Sequence, residues 1–268
     1  MKVLTKLLIA AALVAGLLVP GTSAGAAEPR FSALVFSKTA AFRHSSIPAG
    51  VAAVQQLGAE NNFAVDATED AAAFTDANLA RYDVVIWLST TGDVLDDAQQ
   101  AAFERYIRAG GGYMGIHSAS DTEYGWAWYG GLVAAYFRDH PGSVSPQFQV
   151  ATVKVVGHST AATAPLPNRW QREEEWYNFQ SNPRGAVRVL ATVDEKTYDP
   201  RGYSVPGGSP GMGDHPISWC HSYDGGRAFY TAMGHKAEYY SEPLLRAHIL
   251  GGIEMTAGVA KFNCDPND

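Results

Sequence analysis

Cysteine is nearly absent: the 268 residues hold two, Cys220 and Cys264. Without a C-x-x-C pair, a cysteine-based zinc site has no framework. Basic charge is also scarce. Twenty Lys and Arg against 27 Asp and Glu leave a net charge of −7, the wrong sign for a nucleic-acid-binding face. Beyond the N-terminal segment no stretch approaches the about 20 apolar residues that cross a bilayer. No H-E-x-x-H helix is written in the chain, which removes the commonest local zinc-hydrolase signature.

What is present reads as a folded globule. Hydrophobic residues make up 46%, aromatics 11% and charged residues 18%, which excludes wholesale disorder. At roughly 150 residues per domain the length suits one large or two small domains. No clean linker is visible, so residues 28–268 are expected to form one domain. The start has three zones: Lys2 and Lys6, an apolar run over residues 7–19, and small residues around Ala24-Gly25-Ala26. This is the pattern of a secretory signal peptide over residues 1–27. An uncleaved anchor is the other reading of the same run. Export leads to an extracellular product, with no membrane attachment after cleavage. In an oxidising compartment the two cysteines read as one Cys220–Cys264 disulfide. Its 44-residue loop would be worth about 4 kcal/mol on the chain-entropy estimate. Two unrelated thiols are the alternative.

Short apolar runs alternate with helical patterns. Residues 31–37, 63–68, 82–89 and 113–117 read as strands, and 82–89 is apolar on both faces like a central parallel strand. Residues 47–60 read as a helix capped by Ser46 with Pro48 in its first turn. A second helix over 96–109 carries acids where the dipole favours them. The alternation predicts a doubly wound, mostly parallel α/β sheet. The second half is more antiparallel. Strands are expected at 147–156, 187–194, 217–223 and 228–233, the last two joined across Asp224-Gly225-Gly226. Residues 200–213 form a Gly/Pro-rich loop, and Ser241 caps a final helix to about residue 256.

Ligands of such sheets bind beyond the carboxyl ends of the strands. His44, His117 and His235 each follow a predicted strand, which makes a shared pocket the main functional expectation. Arg43 precedes His44, Ser118 and Asp121 follow His117, and His140 in Asp139-His140-Pro141 would neighbour the same pocket. The Glu173-Glu174-Glu175-Trp176-Tyr177 run has two readings: a solvated charged face, or a carboxylate beside aromatic rings suited to a sugar. Trp126 and Trp128 could extend that platform or pack in the core. At the turn after the fourth strand Ser118 is flanked by Ile116 and Ser120, not by the glycines of a hydrolase elbow. Acid–base work by His and Glu remains, or a metal held by imidazoles and a carboxylate.

Five segments carry a resemblance: FRHSSI (residues 42–47), GGGYMGIHSASD (110–121), RDHP (138–141), EEEWYNF (173–179) and HPISWCHSYDGGRAFYTAMGH (215–235). In this order they resemble the trehalose-utilisation, or ThuA-like, proteins over residues 31–258. The resemblance implies a fold like the class I glutamine amidotransferases, without their cysteine nucleophile. It also implies a carbohydrate setting linked to 3-keto sugars, with His44, His117, His140, Glu175 and His235 as pocket residues.

The leading expectation is a secreted protein that cleaves glycosides or 3-keto-glycosides. His117 or His235 would be the general base and Glu175 an acid or metal ligand. Arg43, His44, Ser118, Asp121 and His140 would bind substrate, and Trp176 and Tyr177 would stack the sugar. Zinc or manganese held by His44, His117 and His235 is the expected cofactor; no nucleotide is expected. The alternative is a non-catalytic carbohydrate-binding or scaffold protein that kept the amidotransferase frame. A serine esterase using Ser118 is a third reading.

Overall fold

The computed structural model describes residues 28–266. The expected leader at residues 1–27 lies outside them. The first half is built from β1 (Ser32–Phe36), α1 (Ile47–Asn61), β2 (Ala64–Thr68), α2 (Asp76–Leu79), β3 (Val84–Leu88), α3 (Asp97–Arg108) and β4 (Gly112–Ile116). Every residue of β3 and β4 is buried, as strands covered on both faces must be. Successive side chains of β3 point to opposite faces. Trp87 meets Phe103 of α3, while Leu88 lies under Gly50 of α1, so the helices sandwich the sheet.

The second half comprises α4 (Ala127–Val133), β5 (Phe137–Asp139), β6 (Phe148–Val155), β7 (Arg169–Glu175), β8 (Asn178–Phe179), β9 (Arg188–Val193), β10 (Pro216–Tyr223), β11 (Gly226–Thr231) and α5 (Pro243–Thr256). Nine strands form one mixed sheet in the order β2-β1-β3-β4-β11-β10-β9-β6-β7, and β5 and β8 form a small separate pair. From β2 to β11 the pairing is parallel; from β11 to β7 it is antiparallel. The β10–β11 turn uses Asp224 and Gly225, both at positive φ, the conformation that two-residue hairpins favour. Gly112 opens β4 because a Cβ there would lie 2.3 Å from the Thr256 carbonyl of α5.

Two expected caps are corrected. Ser46 precedes α1, but its own backbone is already helical (φ −78, ψ −13) and its side chain makes no capping bond. Ser241 closes a 3₁₀ turn over Ala237–Ser241, where its hydroxyl donates to the Glu238 carbonyl; Glu242 takes the position before α5. By contrast, Asp96 and Gln99 form a reciprocal capping box at α3, satisfying donors that the helix itself cannot. The Cys220–Cys264 disulfide is present and ties the tail beyond α5 to β10. No helix among the described residues is long and apolar enough to cross a membrane.

The antiparallel half curls, as twist accumulated across successive strands makes it do. The end of edge strand β7 thereby returns to the loop after β11, where Glu174 accepts the backbone N–H groups of Gly234 and His235.

Candidate functional site

Because β1, β4 and β11 run parallel, their carboxyl ends open on the same edge. His44 stands on the loop between β1 and α1, His117 directly follows β4, and His235 follows β11. Their ring centroids lie 4.7 Å (His44–His117), 4.8 Å (His44–His235) and 5.0 Å (His117–His235) apart. Glu175, at the end of β7, joins them. One donor atom from each of the four lies within 4.8 Å of the others.

His117 carries the main local peculiarity. Its φ is +53, a region that costs a non-glycine residue free energy and persists where the surroundings fix it. The strand-to-turn elbow is therefore real, and an imidazole occupies its apex. The Tyr230 hydroxyl, donating to the His117 carbonyl at 2.7 Å, helps hold the turn. His117 Nδ1 donates to the Ala232 carbonyl at 2.8 Å, which turns Nε2 to the cluster. There it meets His235 Nδ1 at 3.1 Å and the Tyr177 hydroxyl at 3.1 Å.

Glu175 is 2% exposed and surrounded by donors. His235 Nδ1 is 2.7 Å from Oε2, His140 Nε2 is 3.2 Å from Oε1, and the Gln147 amide donates to Oε1. Burial alone would raise this carboxyl, but the hydrogen bonds to His117 and His235 override it and hold the group far below the ordinary carboxylate range. For His117 burial pushes downward, and Glu175 more than offsets it, so the net shift is upward. His44 falls to about 2, through burial and then the neighbouring imidazoles. Asp121 is raised, chiefly by burial.

Above the cluster opens a cavity of about 200 Å³. His44, Asp121, His140, Glu175, Tyr177 and His235 line it, with Phe42, Phe137, Gln147 and Tyr203. The last four were not singled out from sequence. Phe42 sits inside the FRHSSI segment, Gln147 opens the strand expected over 147–156 and Tyr203 lies in the Gly/Pro-rich loop, patterns that speak to local structure and not to a ligand contact.

Several expected site residues are elsewhere. Trp176 is fully buried, and its indole N–H donates to the Gln149 carbonyl, so no ring face is left for a sugar. Trp126 and Trp128 stack on each other beside Phe103 and are not part of the cavity wall. Arg43 forms a two-pronged exposed pair with Glu69. Ser118 is buried with its hydroxyl 3.3 Å from His44 Nδ1, positioning that ring from behind the cavity. His117 has no exposed surface and is not in the cavity wall, so it acts on a molecule in the cavity only through its neighbours. The glutamate run is not a solvated face: Glu174 and Glu175 are buried, and only Glu173 is partly exposed.

The donor set suits a divalent metal ion. Three imidazoles and a carboxylate are the ligand types of zinc and manganese sites. The cluster also has the outer hydrogen bonds such sites need: Ala232 on His117, Ser118 on His44, and Gln147 and His140 on Glu175.

The family model for trehalose utilisation, ThuA, matches residues 32–256. A ThuA-like protein from Bacteroides uniformis is similar in structure, with a TM-score of 0.71, 24% identity, and coverage of 92% of this chain and 98% of that one. A ThuA-like protein from Parabacteroides merdae gives 0.66 and 18%, covering 86% and 90%. A cold-adapted β-galactosidase from Rahnella gives 0.50 and 16%, covering 82% of this chain but 31% of that one. At these identities the structures speak to fold. No curated protein matches the chain.

Proposed function

The chain belongs to the trehalose-utilisation (ThuA) family, and from that premise we propose that it is a carbohydrate-active enzyme that cleaves 3-keto-glycosides by proton transfer in the His/Glu cleft. The observation that carries the reading is Glu175, a buried carboxylate that accepts from His235 Nδ1 at 2.7 Å on the floor of an open cavity. A carboxylate at one ring nitrogen orients an imidazole and fixes its tautomer, which leaves the other nitrogen to accept a proton. The cavity is smaller than the roughly 300–1,000 Å³ of drug-sized sites, a scale that suits one sugar ring.

A carbonyl at C3 of a sugar acidifies the C2–H. His235 takes that proton, the C2–H electron pair becomes the C1=C2 bond, and the glycosidic oxygen leaves with the C1–O pair. Asp121, which lines the same cavity and is raised by burial, gives the leaving oxygen its proton. Water adding back to C1 would complete a net hydrolysis. Tyr177 and Phe137 wall the ring, and Gln147 and His140 hold Glu175 in place. Of the cluster, His44, His117 and Glu175 are the residues that would hold a divalent ion, zinc or manganese, with His235 beside them free to take the proton, and a bound ion would supply Lewis acidity at a sugar oxygen. His140 has both ring nitrogens engaged, at the Pro141 carbonyl and at Glu175, and serves to position Glu175. The disulfide supports action in an oxidising compartment outside the cell.

The test is turnover of a 3-keto-glucoside by wild type, His235→Ala and Glu175→Gln, alongside metal analysis of the purified protein. Each variant should lose about 10²- to 10⁴-fold in kcat. Unchanged turnover in both variants would sink the assignment.

A further inference from the structure

The cavity opens past aromatic rings that nothing in the fold requires to be exposed. Phe42 is 64% exposed and Tyr203 is 47% exposed, yet both line the cavity. Large apolar groups left in water at the edge of a concave site mark where something apolar docks. The two rings come from separate segments, the loop after β1 and the Gly/Pro-rich loop. Each leans edge-on against a site imidazole: Phe42 on His44 at 4.8 Å and Tyr203 on His140 at 4.8 Å.

Tyr203 is held in position. The buried Asp139 carboxylate accepts from Ser204 and Ser209 of its loop and from Asn178, and Gly202 and Ser209 bridge the loop's ends through their backbones. Val205 is exposed on the same loop, and Val144 packs beside it at Gly208.

We propose that this rim is an aglycone subsite for a flat aromatic ring, so that the substrates are aryl glycosides. The inference rests on the reading above that the cavity takes the sugar. The rim is continuous with the cavity, so the part of the ligand that leaves the cavity is what covers it. A second sugar would bring several hydroxyls, each needing a partner when it leaves water. The rim supplies apolar carbon and one phenol, and the charged side chains flanking its two rings in sequence are already paired, Arg43 with Glu69 and Arg201 with Asp199. An aryl ring needs only ring faces and edges, which Phe42 and Tyr203 offer.

The test uses 4-nitrophenol alone and paired 4-nitrophenyl and methyl 3-keto-glucosides, with wild type, Phe42→Ala and Tyr203→Ala. Calorimetric titration should show 4-nitrophenol bound by wild type and weakened roughly five- to tenfold in each variant. The aryl-to-methyl ratio of kcat/KM should fall by a similar factor. If the phenol binds and responds to the variants while neither glucoside is cleaved, the subsite stands and the cleavage reading fails. If both glucosides are cleaved with equal efficiency and neither variant shifts the ratio, the subsite is overturned and cleavage stands. A drop confined to a 3-keto-disaccharide would assign the rim to a second sugar and overturn the aryl proposal.

Discussion

Three consecutive glutamates show how far neighbours of one residue type can diverge. Glu173 is 42% exposed at its side chain and pairs with Lys236, so Glu173→Gln should change stability by less than about 1 kcal/mol. Glu174 is buried and accepts from Arg172 at 2.9 Å and from the backbone of Gly234, His235 and Glu175. It holds two members of the cluster at once without touching the cavity. Glu174→Gln leaves the buried Arg172 with Glu242 as its remaining carboxylate and weakens the grip on His235. We expect a stability loss of about 2–4 kcal/mol in denaturant melts, with kcat falling more than KM changes. A variant as stable and active as Glu173→Gln would remove Glu174 from this positioning role. Sequence could not rank the three, because burial in a curled edge strand is a tertiary fact.

At the scale of elements, α5 carries a titratable group in a place without water. His248 is fully buried, with Nδ1 2.9 Å from the Ala162 carbonyl and Nε2 3.0 Å from the Ser218 hydroxyl. Burial lowers it from 6.5 to about 4, only partly opposed by the Ala162 bond. The folded state therefore refuses a proton that the unfolded chain accepts. Its stabilising effect is complete above the unfolded value of 6.5 and is lost as pH falls toward about 4. The slope approaches about 1.4 kcal/mol per pH unit across that window, and His221 on β10, also lowered by burial, acts in the same direction. Thermal melts through this range should fall steeply for wild type and less steeply for His248→Gln, which starts less stable. Parallel curves would exclude His248 as a cause. Elements with strong patterning, such as β3 and α3, are legible from composition and periodicity. Strand β7 is not, since Arg-Trp-Gln-Arg-Glu-Glu-Glu hides its alternation of buried Trp170, Arg172 and Glu174 behind polar residues.

Across the whole molecule, the convergence of the histidines is legible while the carboxylate that completes the cluster is less so. Strand ends in a parallel sheet share one edge, so His44, His117 and His235 could be grouped from their positions after apolar runs. Glu175 arrives only because four antiparallel strands curl back across the sheet, which local patterning does not encode. Trp176 misled for a related reason: an aromatic beside a carboxylate looks like a sugar platform, but alternation at the strand end sends its ring into the core.

The disulfide acts at this same scale, since it joins β10 in the sheet to a tail with no regular structure after α5. Cys220 and Cys264 are both buried, and neither lines the cleft. The bond closes a 44-residue separation, so removing it should free the unfolded chain by about 4 kcal/mol. For a chain of this size each kcal/mol moves the midpoint by roughly 2–4 °C, which gives Cys264→Ala a Tm about 8–16 °C below wild type. Reductant should lower wild type by the same amount and leave the variant unchanged. Because the cavity residues are not attached to the tail, kcat at room temperature should hold. Equal midpoints for variant and wild type would mean that packing of the tail, not the cross-link, fixes it to β10.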